Sequence, residues 1–300
     1  MTLFRLLTEG TRALEQAGAP DAKQDARQLL LAAFGLDMVH FLLNRMQELE
    51  ENRKNEEAVS LYREMIGRRR KRCPLQQILG SQEFMGMEFK VNRHVLIPRQ
   101  DTETLVEQVL ADAAGWKEEV ALGQERTLLD LCTGSGCIAV SLAASGCFFG
   151  VTATDISREA LKVAEHNVDT LLPEWRKQQR VQLFCGDLFA ALPEGGGRYD
   201  VITSNPPYIP TEMIQSLEPE VREYEPMLAL DGEGDGLSYY RKIVSDAGEY
   251  LKAGGRIYLE IGFDQGEAVC GLLKEAGYQD IRVCRDLPGK DRVVAACWPG

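Results

Sequence analysis

The apolar positions of this chain change period twice. Up to residue 73 they recur at helical spacing: Ala22, Ala26, Leu29, Leu30, Ala33 and Phe34 form one stripe behind Asp21, which can cap, and before Gly35, which can stop the helix. The stripe returns in Ala58, Leu61, Tyr62, Met65 and Ile66, so residues 1–73 read as a small helical domain suited to partner recognition. From 74 to 99 the period shortens. Residues 84–91 predict a hairpin with Gly86 near its turn, and 95–99 an extended segment, which together read as a connector. A helix is then expected from 101 to 112, with Asp101 or Thr102 as cap and Leu105, Val106, Val109 and Leu110 on its apolar side.

Residues 100–300 alternate short β-branched runs with helical stripes. Strands are expected at 128–132, 148–154, 181–185, 199–203, 256–261, 281–284 and 292–297, with helices at 137–144, 158–168, 237–252 and 264–276 among them. The last two strands are joined by only 287–291. That link is too short for a parallel return, which needs a crossover of about a dozen residues or more, so the pair must be antiparallel. The expected fold is α/β: a doubly wound, Rossmann-like sheet of seven strands with an antiparallel last strand, preceded by the helical domain. Residues 217–236 form a polar stretch long enough to act as a lid.

Charge narrows the function classes. With 34 Lys and Arg against 46 Asp and Glu, the net charge of −12 opposes a surface that tracks nucleic-acid phosphates. The exception is the run Arg68-Arg69-Arg70-Lys71-Arg72, which reads either as cations complementing a helix C-terminus or as a docking patch for an acidic or RNA-containing partner. No segment approaches the ~18 apolar residues of a membrane span, and Met1 to Arg5 show no leader pattern, so a cytoplasmic location is expected. The eight cysteines lack a Cys-x-x-Cys pair and read as reduced, buried thiols. His40, His94 and His166 match no zinc spacing, and no metal is expected.

The chemistry is expected at the strand ends. Asp130 precedes the turn Cys132-Thr133-Gly134-Ser135-Gly136, whose glycines allow a ligand close to the backbone and to the N-terminus of the following helix. Asp155 stands about 20 residues on, where nucleotide-binding βαβ units hold a ribose hydroxyl pair. Asp187 and Leu188 can flank an adenine. Ser204-Asn205-Pro206-Pro207-Tyr208 follows the fourth strand; the prolines stiffen the loop, so that Asn205 Oδ1 and a proline carbonyl can grip a planar NH2 group while Tyr208 packs on its face. A proline-stiffened turn explains the same residues structurally. The spacing Gly134-x-Gly136-x-x-Ala139 also admits a nicotinamide dehydrogenase. The antiparallel seventh strand, the amide grip and the acidic crevice of Asp130, Asp155 and Asp187 instead favour a cationic sulfonium, S-adenosyl-L-methionine.

These motifs resemble those of class I S-adenosylmethionine methyltransferases that modify planar nitrogens. With Glu83-Phe84 to Val91, Leu96 to Glu103, Leu228 to Gly232, Asp235 to Leu237 and Pro288 to Arg292, the chain is similar over nearly its whole length to the HemK/PrmC family of protein glutamine N5-methyltransferases. Cys132 departs from the pattern, standing where the family has a third glycine; it fits if its side chain points away from the cofactor. The resemblance implies methylation of the glutamine in the Gly-Gly-Gln motif of class I peptide chain release factors. Asn205, Pro206 and Tyr208 would then be catalytic, with Pro207 and Arg99 in the substrate site. No stable nucleic-acid partner or membrane is expected, and the chain is expected to act as a monomer. Two alternatives share the residues: a DNA or RNA amino-methyltransferase acting on a flipped base, and a translation-associated protein that holds the cofactor without turnover.

Overall fold

The computed structural model describes residues 1–178, 180–195 and 197–300. The chain forms two compact units, Met1–Gly80 with Glu218–Tyr224, and Ser81–Leu217 with Glu225–Gly300.

In the first unit, helices Leu3–Gln16, Ala22–Phe34 and Arg53–Arg70 pack around Leu6, Leu14, Leu29, Leu30, Tyr62 and Ile66. The helix at Ala22 ends at Gly35 in the left-handed conformation, as its position suggested. Asp21 stands at the N-cap but its side chain makes no capping bond. The basic run is largely spent inside this unit. Arg69, buried, donates to Asp25 Oδ2 at 2.6 Å and to Glu220 Oε1 at 2.9 Å, and Arg72 donates to Glu220 at 2.6 Å. Arg70 and Lys71 face solvent. Part of the 217–236 stretch therefore belongs to the helical unit: Pro219–Arg222 is a short helix, and Tyr224 packs on the same core.

The second unit opens with an antiparallel hairpin, β1 (Ser81–Phe84) and β2 (Met87–Lys90). Seven further strands make one sheet: β3 (Thr127–Leu131), β4 (Gly150–Asp155), β5 (Val181–Cys185), β6 (Tyr199–Ser204), β7 (Leu251–Glu260), β8 (Gln279–Arg285) and β9 (Asp291–Cys297), in the order β5-β4-β3-β6-β7-β9-β8. The first five positions pair in parallel, while β9 runs antiparallel to both β7 and β8. The sheet is thus the predicted one. Its middle strands are buried on both faces, by clusters around Phe84, Leu105 and Val140 on one side and Leu129, Ile243 and Leu259 on the other. Strand order reverses between β3 and β6, which opens a crevice at their carboxyl ends.

Two local expectations are corrected. The helix Gln100–Asp112 starts a residue early, with Arg99 at the N-cap and no side-chain cap. Asp101 instead pairs with Arg292 at 3.0 Å, and Thr102 is buried. All eight thiols are free, but only Cys73 and Cys137 are buried, and Cys185 is exposed. Among the described residues no single helix is long and apolar enough to cross a membrane.

Candidate functional site

A cleft open to solvent, with about 990 Å³ of empty space within it, lies at the carboxyl ends of β3, β4, β5 and β6. Its walls include Cys132, Thr133, Gly134, Ser135, Asp155, Asp187, Leu188, Asn205, Pro207 and Arg99 from the expected set. Asp130, Gly136, Pro206 and Tyr208 are the expected residues that do not line it.

The glycine turn is held from below. Asp130, fully buried, accepts from Thr133 Oγ1 at 2.6 Å and from Thr203 Oγ1 at 2.7 Å, locking the turn to β6. Burial pushes its carboxyl up to about 7 against those hydrogen bonds, and the neighbouring Asp155 adds to the rise. Asp155 accepts from the Gly134 amide through Oδ2 and from the Ser157 amide through Oδ1, both at 2.8 Å. Burial raises its pKa, and the two amides oppose the rise. Gly134 has φ +55° with open space where a side chain would stand, so the backbone itself forms the cavity wall.

Two non-glycine residues on the same wall adopt positive φ, Cys132 at 57° and Leu188 at 48°. Such conformations cost about 1–3 kcal/mol and concentrate at functional sites. Cys132 packs with the cluster around Leu129 and Tyr240, and its thiol, pushed up by burial, faces Ser204.

Asn205 continues β6 into the cavity. The β6–β7 register pairs Ser204 with Leu259, which sets Asn205 beside Glu260 at the end of the neighbouring strand. The Asn205 amide donates from Nδ2 to Thr102 Oγ1 at 3.4 Å. Tyr208 is not a wall residue; its ring packs with the cluster around Tyr240, and its carbonyl accepts from Gln265 Nε2 at 3.0 Å. Burial pushes its phenol up, keeping it neutral. A side chain on Gly232 would meet Tyr208 Cα at 2.7 Å, so this glycine lets the 226–232 segment close over the Asn-Pro-Pro-Tyr loop. Ile209 and Asp231 form a parallel bridge there.

Arg99 lines the cavity but is not a free cation, since its Nη2 donates to Glu225 Oε1 at 2.6 Å. Glu103 accepts from the Met85 amide and steadies the hairpin turn.

Several wall and support residues were not expected at the site: Tyr239 and Pro226 on the wall and Glu260 behind it had no signal, while Thr102, Leu228 and Ala229, also on the wall, entered only as a candidate cap or within the resemblance. Asn167 is another. It is buried and donates to the Ser135 and Lys90 carbonyls at 2.8 and 3.1 Å, while accepting from the Lys90 amide at 2.8 Å, so one helix side chain ties the glycine turn to β2. An asparagine inside an otherwise apolar helical stripe was the one available clue.

The comparisons agree with this architecture. A sequence model described as the PrmC N-terminal domain matches residues 5–80, and one described as a methyltransferase small domain matches residues 105–217. The release factor glutamine methyltransferase of Geobacter sulfurreducens is 43% identical over 97% of this chain and 95% of its own. That of Cereibacter sphaeroides is 41% identical over 95% of each. Among solved structures, the hMettl16 catalytic domain in complex with MAT2A 3′UTR hairpin 6 shares the fold at a TM-score of 0.51 and 17% identity, over 78% of this chain and 81% of that one.

Proposed function

The chain belongs to the release factor glutamine methyltransferase family, and from that premise we propose that it transfers a methyl group from S-adenosyl-L-methionine to the side-chain nitrogen of the glutamine in the Gly-Gly-Gln motif of peptide chain release factors. The observation that carries the reading is Asn205, at a strand end on the cavity wall with its Nδ2 turned toward Thr102, which leaves Oδ1 to accept from a substrate amide.

The wall fits the cofactor. The Gly134 backbone leaves room for close approach, and the carboxylates of Asp155 and Asp187 line the same cavity. Asp155 suits the ribose hydroxyls, Asp187 and Leu188 the adenine, and residues 132–136 the amino acid portion, with Asp130 supporting them from behind. When bound, S-adenosylmethionine supplies an electrophilic methyl on a sulfonium. An amide nitrogen is a weak nucleophile because its lone pair is delocalised, so the chain's task is orientation. Asn205 Oδ1 and the Pro206 carbonyl take the two amide hydrogens and fix the direction of the nitrogen lone pair. Pro206 and Pro207 hold both acceptors at set angles. Tyr208 supports this loop through its packing, and Arg99 and Pro207 border the channel for the peptide. No strong base is required, since the methylated amide can lose its proton to water. A cytoplasmic site of action follows from a substrate that works on the ribosome.

The test is methyl transfer with labelled cofactor to purified release factor, beside a factor whose Gly-Gly-Gln glutamine is alanine and a duplex DNA. Label on the wild-type factor alone is the expected result. Label on DNA, or on the alanine factor, overturns the reading.

A further inference from the structure

Behind Asn205 lies a carboxyl that the chemistry above does not use. Glu260 ends β7, is 1% exposed, and its Oε2 has no hydrogen-bond partner among the described residues. A buried carboxylate oxygen without a donor is costly, so its retention beside a reacting group calls for a role. Its surroundings define that role. The strand register sets it next to Asn205, and the Thr102 hydroxyl and Asn205 amide both face it.

An asparagine amide has one acceptor oxygen and two donor hydrogens on nearly superimposable sites, so its useful face is decided by what holds the other face. Thr102 engages Nδ2 only at 3.4 Å, too long to fix the amide alone. Taking the proposed glutamine methylation as its premise, we infer that Glu260 is the positioning residue for Asn205: its carboxylate attracts the Nδ2 hydrogens and thereby presents Oδ1 to the substrate nitrogen. Glu260 in its charged form accepts only. Protonated, it becomes a donor that competes for Asn205 Oδ1 and withdraws that acceptor from the substrate.

The groups facing Glu260 set where the switch falls. Burial is the strongest influence and pushes the carboxyl up to about 7; the Thr102 hydroxyl, Arg292 and the Asn205 amide pull it back, and Asp101 adds to the rise. From the other elements, Tyr208 and Tyr240 approach as neutral phenols and Cys137 as a thiol pushed up by burial, Tyr240 donating to the Glu260 backbone carbonyl at 2.7 Å. Arg292 is shared, since Asp286 and Asp101 hold its guanidinium at 3.2 and 3.0 Å.

The experiment is the pH profile of kcat for the full-length chain, saturated with S-adenosylmethionine and release factor, in wild type and Glu260→Gln. Wild-type kcat is expected to fall about tenfold between roughly pH 8.5 and 5.5 with a midpoint near neutrality, while Glu260→Gln loses that limb and runs about tenfold below wild type at high pH. KM for the release factor and calorimetric cofactor affinity should stay at wild-type values, which a general loss of structure would not allow. A Glu260→Gln enzyme with the wild-type profile and rate overturns the inference and leaves the glutamine reading intact. If the variant fails to bind cofactor, wild type and Asp130→Asn decide, since Asp130 is the other buried carboxyl raised to about 7: a flat wild-type profile, or a limb that Asp130→Asn abolishes, overturns the inference, and a limb near neutrality that Asp130→Asn keeps supports it. A wild-type chain that labels no release factor at any pH overturns the glutamine reading, and this inference with it.

Discussion

The two sides of the cavity treat buried carboxyls differently. On the glycine-turn side, the buried Asp130 and the half-buried Asp155 have both oxygens hydrogen-bonded, to Thr133, Thr203 and the amides of Gly134 and Ser157. On the Asn205 side, Glu225 and Glu260 are also buried, yet each keeps one oxygen without a partner among the described residues. The first side is complete within the chain, as suits a pocket that receives the same small molecule every turnover. The second is left unfinished at the atoms nearest the residues that would meet a protein substrate. Preorganisation explains the first, and retained polarity awaiting a task explains the second.

If this contrast is right, the largest effect belongs to the unfinished side. Replacing Asn205 with alanine removes the acceptor for a substrate hydrogen, and kcat is expected to fall ~10²–10³-fold, the usual cost of one positioned transition-state hydrogen bond. Cofactor affinity, measured by calorimetry, should change far less. Equal losses in both would erase the division between the two sides.

Next comes a stability effect of opposite sign. Glu260 has its carboxyl raised from 4.5 to about 7, chiefly by burial. A raised acid pKa means the folded state holds the proton more tightly, so the contribution to stability is present below the unfolded value and is lost as pH rises through 7. That loss amounts to roughly 3 kcal/mol. Glu260→Gln removes it, so the variant's Tm should overtake wild type progressively from about pH 4.5 to 7 and then keep a constant lead. A variant that is more stable and slower would mark Glu260 as a group retained for chemistry at the expense of stability. The finished side predicts the reverse. Asp155→Ala removes the acceptor for two loop amides and is expected to weaken cofactor binding roughly a hundredfold, with kcat recovered at saturating cofactor.

The same contrast governs what could be read from sequence. Asp130, the glycine turn, Asp155 and Asn205 announce themselves because each sits at or next to the end of an apolar strand run, and strand-end residues of a doubly wound sheet converge whatever the intervening chain does. The antiparallel last strand was equally legible, since the brevity of the 287–291 link excludes any other pairing. Glu260 was not, although it also ends a strand. Inside the expected strand 256–261 an acid before Ile261 gives no sign of what it faces, and only the register with β6 reveals that it stands beside Asn205. Arg69 and Glu220 illustrate the other kind of failure: their pairing joins residues about 150 positions apart, and a cationic run looks the same in sequence whether its charges meet solvent or a buried carboxylate.

The smallest expected effect tests whether the finished side carries strain of its own. Cys132 holds φ at 57°, a region where a Cβ crowds the following carbonyl at about 1–2 kcal/mol and where glycine carries no such penalty. Cys132→Gly relieves that crowding but gives the unfolded chain more freedom to lose and removes a thiol that packs with the cluster around Leu129. The terms nearly balance, and the net is expected to be a gain of no more than ~1 kcal/mol, visible as a small rise in Tm. Valine at the same position supplies the sharper reading. Its branched Cβ is still less compatible with positive φ, so it should lower Tm and, because the turn it distorts is the one locked by Asp130 and Asp155, weaken cofactor binding in parallel. A valine that lowers Tm while leaving cofactor affinity untouched would mean that the turn bends independently of its carboxylate anchors, and the rigidity ascribed to this side of the cavity would have to be given up.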